Sequence, residues 1–287
     1  MKIATLLNVH AEPELVLDTV DSIRAHMTND ILVLVDGAFK DRFRNVKMPC
    51  QKMAGFYHNC EKAPYRNLTL GLMTLADSFD ADWYCYIEYD CLVTSPGIKL
   101  DLASADPLVY CMGNDHRIGN NKFLLLEGMM KMEFPETHCL LGCCTFFRRE
   151  FIRKLQEMDF FHKFLYMTND FTGGFFPGFN HQEGYDFGEH LYPTLAANLG
   201  GQVRQLACYY GDNNWSGNYH RYPMRFRPEY DTRMEKFPEA SIIHPVKSFD
   251  HPFRNLHRKK REKLCQPQSQ SKYAQNVSVQ QETMLQI

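Results

Sequence analysis

Two apolar runs with one amphipathic stretch between them constrain this chain more than any other feature. Residues 3–9 form a compact apolar run that gives way to Asn8-Val9-His10-Ala11-Glu12-Pro13, and Ile31-Leu32-Val33-Leu34-Val35 forms a second run, stopped by Asp36-Gly37. Between them Leu15, Leu17, Val20, Ile23 and Met27 recur at roughly helical spacing behind Pro13, a residue suited to the first helical turn. Strand, helix and strand within residues 3–36 predict a parallel βαβ unit, because parallel neighbours need a crossover connection. In open parallel sheets ligands bind at the carboxyl ends of the strands, which places Asn8, His10, Asp36 and Gly37 on the candidate binding edge. Asn8 and Asp36 are equally suited to making turns.

A third run, Trp83-Tyr84-Cys85-Tyr86-Ile87-Glu88-Tyr89-Asp90-Cys91-Leu92-Val93, carries two carboxylates one residue apart to the point where Thr94-Ser95-Pro96-Gly97 begins. Alternate residues of a strand share a face, so Glu88 and Asp90 are expected to point the same way and Tyr89 into the protein. Two hard oxygen ligands meeting at one place suit Mg²⁺ or Mn²⁺ carrying a diphosphate, since such ions take one or two carboxylates and leave their other positions to phosphate and water. The same triplet also arises by chance at solvated strand ends.

Residues 64–76 predict another helix, begun at Pro64 and leucine-lined on one face, with Arg66 in its first turn. A cation there opposes the helix dipole, so Arg66 reads either as a solvated surface residue or as a partner for phosphate or carboxylate. Further strands are expected at 108–112, 139–147 and 203–210, a polar loop at 113–121, and helices at 150–158 and 187–199, the last closed by Gly200-Gly201. Residues 38–63 show no clear pattern. The aromatic, glycine-rich stretch 171–186 and the polar stretch 211–220 read as loops that either present rings to a ligand or pack onto the core. The basic run 254–263 reads mainly as a solvated helix, with contact to an anionic surface as the alternative. Residues 266–287, rich in Gln and Ser, are expected to be a disordered tail behind a single domain spanning 1–265.

Composition excludes several classes. A net charge of −2 argues against a dedicated nucleic-acid binder. No run reaches the roughly 18 apolar residues of a membrane span, and the N-terminal apolar run is too short for a signal peptide. The ten cysteines are irregularly spaced and several lie inside apolar runs, where a reduced thiol packs as a small hydrophobe. Cys139, Cys143 and Cys144 lack a second ligand pair at a zinc-ribbon spacing. A soluble protein of a reducing compartment, the cytoplasm, is expected.

In one consistent order over residues 2–210 the chain resembles the GT-A fold glycosyltransferases, most nearly family 2. That family's opening loop with Asn and Glu has counterparts in Asn8 and Glu12, and its Asp-Asp-Gly in Val35-Asp36-Gly37. Its Ala-Arg-Asn-x-Gly-Leu helix is similar to 65–72, with Arg66 and Asn67, and its Asp-x-Asp metal motif falls on Glu88-Tyr89-Asp90. Its Gly-Gly-x-x-x-Phe-Arg-Arg-Glu segment is similar to 141–150, and its Gly-Glu-Asp helix start falls on Gly184-Tyr185-Asp186. Glu88 replaces the first Asp of the metal motif, one Asp of Asp-Asp-Gly is gone, and Tyr185 replaces Glu. Beyond the matched region, Ser241-Ile242-Ile243-His244-Pro245-Val246-Lys247 resembles the late segment in which GT-A enzymes keep a metal-binding histidine and a diphosphate-binding lysine. His244 is otherwise a histidine satisfied in the core.

The resemblance implies an α/β fold of one domain, a mostly parallel, Rossmann-like central sheet flanked by helices. It implies transfer of a sugar from a nucleoside diphosphate sugar to a hydroxyl of a glycan or other acceptor, with inversion and with Mn²⁺ or Mg²⁺ as cofactor. The metal ligands would be Glu88, Asp90 and His244, and the donor site Asn8, His10, Glu12, Asp36, Arg66, Asn67, Tyr89 and Lys247. Asp186 would be the general base, a position at which Asp is also a preferred helix N-cap; Glu183 and Glu189 are the other carboxylates nearby in sequence. A nucleotidyltransferase that makes nucleotide sugars is the enzymatic alternative, although Asn8-Val9-His10-Ala11-Glu12-Pro13 lacks that class's glycine-rich loop. A catalytically silent module that binds a glycan or a partner is the other.

Overall fold

Seven strands line up in the order β3-β2-β1-β4-β7-β6-β8. They are β1 (Ile3–Val9), β2 (Asp30–Val35), β3 (Gln51–Ala54), β4 (Trp83–Glu88), β6 (Val109–Gly119), β7 (Thr137–Arg148) and β8 (Gln202–Gln205), with the short β5 (Leu92–Val93) outside the sheet. The computed structural model describes residues 1–56, 64–119, 123–169, 187–206, 208–209, 222–223 and 240–265. Within the sheet β7 alone runs antiparallel, to both β4 and β6, so the expected mostly parallel α/β sheet is present. Two further pairs lie outside it: β9 (Cys208–Tyr209) with β10 (Tyr222–Pro223), and β5 with β11 (Ile242–Ile243).

The central strand β1 is buried along its whole length, which is why it reads as a continuous apolar run. Its side chains alternate between two cores. Ala4 and Leu6 join the core under α3 (Pro64–Ser78), α6 (Arg149–Glu157), α7 (Phe160–Met167) and α8 (Phe187–Asn198). Ile3, Leu7 and Val9 join the other, under α1 (Pro13–His26) and α4 (Gly97–Ala103). The remaining helices are α2 (Lys40–Phe43), α5 (Leu124–Met130) and α9 (Pro252–Cys265). Pro13 does open α1, and α8 ends as the paired glycines indicate. Gly200 adopts φ +83°, and Gly201 N donates to Ala196 O at 3.0 Å, the bonding of a Schellman cap.

The structure corrects four sequence readings. The loop expected at 113–121 is strand through Gly119; two register shifts against β7 absorb its polar residues, and Asn114 is buried with its amide Nδ2 directed at Cys144 O. The strand expected at 203–210 is divided: β8 ends at Gln205, and Cys208–Tyr209 forms β9 outside the central sheet. The unassigned region 38–63 contains α2 and the edge strand β3. The basic run is helical, but Arg254 and Arg261 are buried rather than solvated. The stretches 171–186, 211–220 and 266–287 lie outside the described residues.

Candidate active site

Strand β1 pairs with β2 on one side and β4 on the other, so the connections depart in opposite directions between β1 and β4. Such a switch point opens a crevice at the strands' carboxyl ends. Its last paired residues are Asn8 and Glu88. Asn8 is buried, and its Oδ1 accepts no hydrogen bond among the described residues.

Strand β4 stops at Glu88, and Tyr89 and Asp90 form a turn closed by Cys91 N donating to Glu88 O at 3.1 Å. Glu88 and Asp90 therefore do not share a strand face, contrary to the alternation expected. They converge by another route. After the turn β5 pairs antiparallel with β11, Ile243 opposite Leu92, and His244 follows directly on the end of β11. Val246 N then donates to Asp90 O at 2.8 Å, seating the segment on the turn. As a result His244 Nε2 lies 3.1 Å from Glu88 Oε2 and 3.3 Å from Asp90 Oδ1. The hydrogen bond goes to Glu88; Asp90 Oδ1 is buried with the ion-pair contact but no hydrogen bond.

The charges around this point respond to one another. Burial opposes ionisation of Asp90, but His244 and Lys247 hold its carboxyl below the ordinary carboxylate range. Burial likewise opposes a charge on His244, yet Cys143, Cys91 and Asp90 outweigh it and hold the imidazole well above the usual histidine value. His10 stands edge-on to Tyr89, ring centres 4.5 Å apart, so Tyr89 meets His10. Burial lowers the pKa of His10 against the opposing pull of Glu88, Asp90 and Asp36, with Lys247 reinforcing the shift.

Neither family models nor curated proteins give a match to this sequence. Among solved structures the chain is similar to the mannosyltransferase PcManGT from Pyrobaculum calidifontis in complex with GDP-Man and Mn²⁺, at 12% identity over 71% of this chain and 54% of that one, TM-score 0.40. It is similar to the glycosyltransferase GlyE of Streptococcus pneumoniae TIGR4, at 13% identity over 91% and 61%, TM-score 0.42. It is also similar to a glycosyltransferase involved in glycosylation of the major capsid of PBCV-1, at 10% identity over 92% and 100%, TM-score 0.45. The aligned region thus spans between half and two thirds of the first two chains. Likeness this distant does not reach the chemistry of the site, which rests on its own residues.

The other expected residues divide. Asp36 is buried beside His10, and its Oδ1 accepts from Ala38 N at 2.8 Å, so it makes the turn as well as lining the edge. Lys247 is exposed next to the Asp90 turn. Glu12 stays out of the cluster, exposed at the start of α1 and ion-paired with Arg42. Arg66 is buried rather than solvated, stacked over the Phe56 ring at 4.2 Å and donating to the Asn169 carbonyl and side chain, each at 3.3 Å. Asn67 holds the same Phe56 by its backbone, accepting from its N at 2.7 Å and donating to its O at 3.3 Å. Asp186 lies outside the described residues.

Two neighbours of the site were less legible. Glu189, in the first turn of α8, accepts from Gly142 N at 2.9 Å and with Glu88, Tyr65, Tyr86 and Tyr192 lines a cleft of about 530 Å³, open solvent included. Cys91 is fully buried and directs its thiol at Cys143 O, 3.2 Å away. Only its adjacency to Asp90 hints at this place, and strand alternation would have turned it away. Among the described residues no helix is long and apolar enough to cross a membrane.

Proposed function

We propose that the chain is a glycosyltransferase that moves a sugar from a nucleoside diphosphate sugar to an acceptor hydroxyl, with Mn²⁺ or Mg²⁺ as cofactor. The observation that carries the reading is the meeting of Glu88, Asp90 and His244 at the switch point, 3.1 and 3.3 Å from one ring nitrogen. The residues fit such an ion: a buried carboxylate oxygen without a hydrogen bond is what a cation completes, and two carboxylates with one imidazole suit Mn²⁺.

Glu88, Asp90 and His244 would hold the ion. When bound, it supplies Lewis acidity to the departing diphosphate. Lys247, exposed beside the turn, places an ammonium where the same leaving charge develops. Asn8, with an unfilled acceptor, and Asp36 hold the nucleoside at the strand ends. Asp186 takes the acceptor's proton as general base, giving inversion, while Glu189 lines the cleft on the acceptor side. Free thiols at Cys50, Cys85, Cys91, Cys111, Cys139, Cys143 and Cys144 support placement in the reducing cytoplasm.

Donor hydrolysis and transfer, measured across a panel of nucleotide sugars with and without Mn²⁺, test the reading. Metal-dependent turnover of one donor, lost in Asp90→Asn while the fold persists, is expected. Nucleotide binding without turnover of any donor would make the chain a silent binding module. Synthesis of a nucleotide sugar from a sugar phosphate and a nucleoside triphosphate would make it a nucleotidyltransferase.

A further inference from the structure

We infer that the buried side of this cluster is a site for a thiophilic divalent cation of the Zn²⁺ class, held by the Asp90 carboxylate, the Cys91 thiolate and the His244 imidazole. One ligand atom from each of the three lies within 4.8 Å of the others. Asp90 and Cys91 leave the turn after β4 consecutively, and His244 is brought to them by the pairing of β11 with β5. Around a tetrahedral ion with Zn–N and Zn–O near 2.0 Å and Zn–S near 2.3 Å, ligand atoms stand roughly 3.3–3.8 Å apart. The three therefore need to draw together by about 1.5 Å at most.

Donor chemistry separates this site from the oxygen-rich one beside it. Thiolate with imidazole and carboxylate favours Zn²⁺, Co²⁺ or Cd²⁺, whereas Mn²⁺ and Mg²⁺ prefer oxygen ligands. On coordination the Cys91 S–H bond breaks and the His244 imidazolium gives up one N–H proton; the freed electron pairs form the sulfur–metal and nitrogen–metal bonds, both protons pass to solvent, and nothing is oxidised or reduced. The hydrogen bond from Cys91 to Cys143 O is given up in the exchange. Because Asp90 and His244 belong to both ligand sets, a thiophilic ion and the proposed Mn²⁺ exclude one another. Zn²⁺ is thus an inhibitor that acts by displacing the cofactor rather than by blocking the donor.

The site does not depend on sugar transfer, so it is tested optically, with Co²⁺ as the probe and the full chain freed of metal. The expected result is a thiolate-to-Co²⁺ charge-transfer band in the near ultraviolet, saturating at one ion per chain and abolished by Zn²⁺. The band should vanish in Cys91→Ser and in His244→Ala and persist in Cys50→Ser, which removes a thiol elsewhere. Absence of the band in the native chain, or its survival in Cys91→Ser, overturns the assignment. Should Cys91→Ser not fold, His244→Ala decides, because a band that survives without the imidazole belongs to another thiol. If the band forms as expected but no nucleotide sugar is turned over, the transferase reading fails and this one stands.

Discussion

Arg254 of α9 is fully buried, and its Nη1 stands 2.8 Å from Oδ2 of Asp18 in α1. The same guanidinium donates to Val246 O at 2.9 Å and to Cys91 O at 3.2 Å, gripping from behind both segments that carry the metal-ligand candidates. Thr19, beside Asp18, adds a hydroxyl to the Tyr89 carbonyl at 2.6 Å. Arg261 also reaches Asp18, which is how a helix with so basic a sequence comes to be partly core.

Arg254→Met should cost about 3–5 kcal/mol, because it strips a buried carboxylate of its best-placed partner and frees two carbonyls. Arg258→Met, at a side chain that keeps 22% of its exposure and stands 3.6 Å from the same Asp18, should cost about 0–1 kcal/mol. Urea unfolding of the two variants gives the comparison. Equal costs would mean that α9 is held by its apolar contacts and not by the ion cluster.

Gly71 sets two effects against each other. Alanine in the middle of α3 gains about 1 kcal/mol of helix propensity over glycine. A Cβ there, however, would lie 2.5 Å from Leu6 Cδ2 in the buried core, and overpacking of this kind costs about 1–3 kcal/mol. Gly71→Ala is therefore expected to lower the melting temperature, and a rise would show that Leu6 can swing clear.

His257 gives stability a pH dependence. Burial, reinforced by Lys260, Arg261 and His26 and opposed by Asp18, pushes its pKa down to about 4 from 6.5. The unfolded chain takes up this proton near pH 6.5 and the folded chain only near pH 4, so acidification through that window favours unfolding, and the contribution is flat above it. His257→Gln removes the term. The melting temperature of the variant relative to the native chain should climb as pH is lowered from 7 to 5; two parallel curves would remove His257 from the account.

Asp186 and Glu189 are separated by kinetics. Asp186→Asn is expected to lower kcat by about 10²–10⁴ while donor affinity is kept, the usual loss for a missing general base. Glu189→Gln retains a carbonyl to accept from Gly142 N, so its fold and most of its turnover should survive. The opposite ranking transfers the base to Glu189.

Much of this architecture could be read from local pattern. β1, α1, β2 and α3 are continuous apolar runs or helices opened by proline, and each needs only its own residues to be recognised. Glu88, Asp90 and His244 stand out through a strand end and a family resemblance, and the structure sets both carboxylates against the His244 ring although strand alternation is not the reason. What escaped depends on partners far along the chain. Arg254 looks solvated until Asp18 is placed against it, 236 residues earlier. Cys91 faces the ion site only because a turn replaces the strand, and residues 114–119 form a strand in spite of their polarity because β7 lies beside them.

The pairing of β5 with β11 is only two residues long on each strand, yet the contact it secures, His244 to Glu88, spans 156 residues. Loop-closure entropy weighs most heavily on contacts so distant in sequence, and so small a patch of ladder offers little to offset it. A chain that has assembled its central sheet is therefore still one short strand away from bringing His244 to Glu88 and Asp90. If the proposed ion is held there, loosening of that strand in the native protein would switch off its capture long before the sheet itself gives way, and the local opening of residues 242–247, not global stability, would set how long it stays.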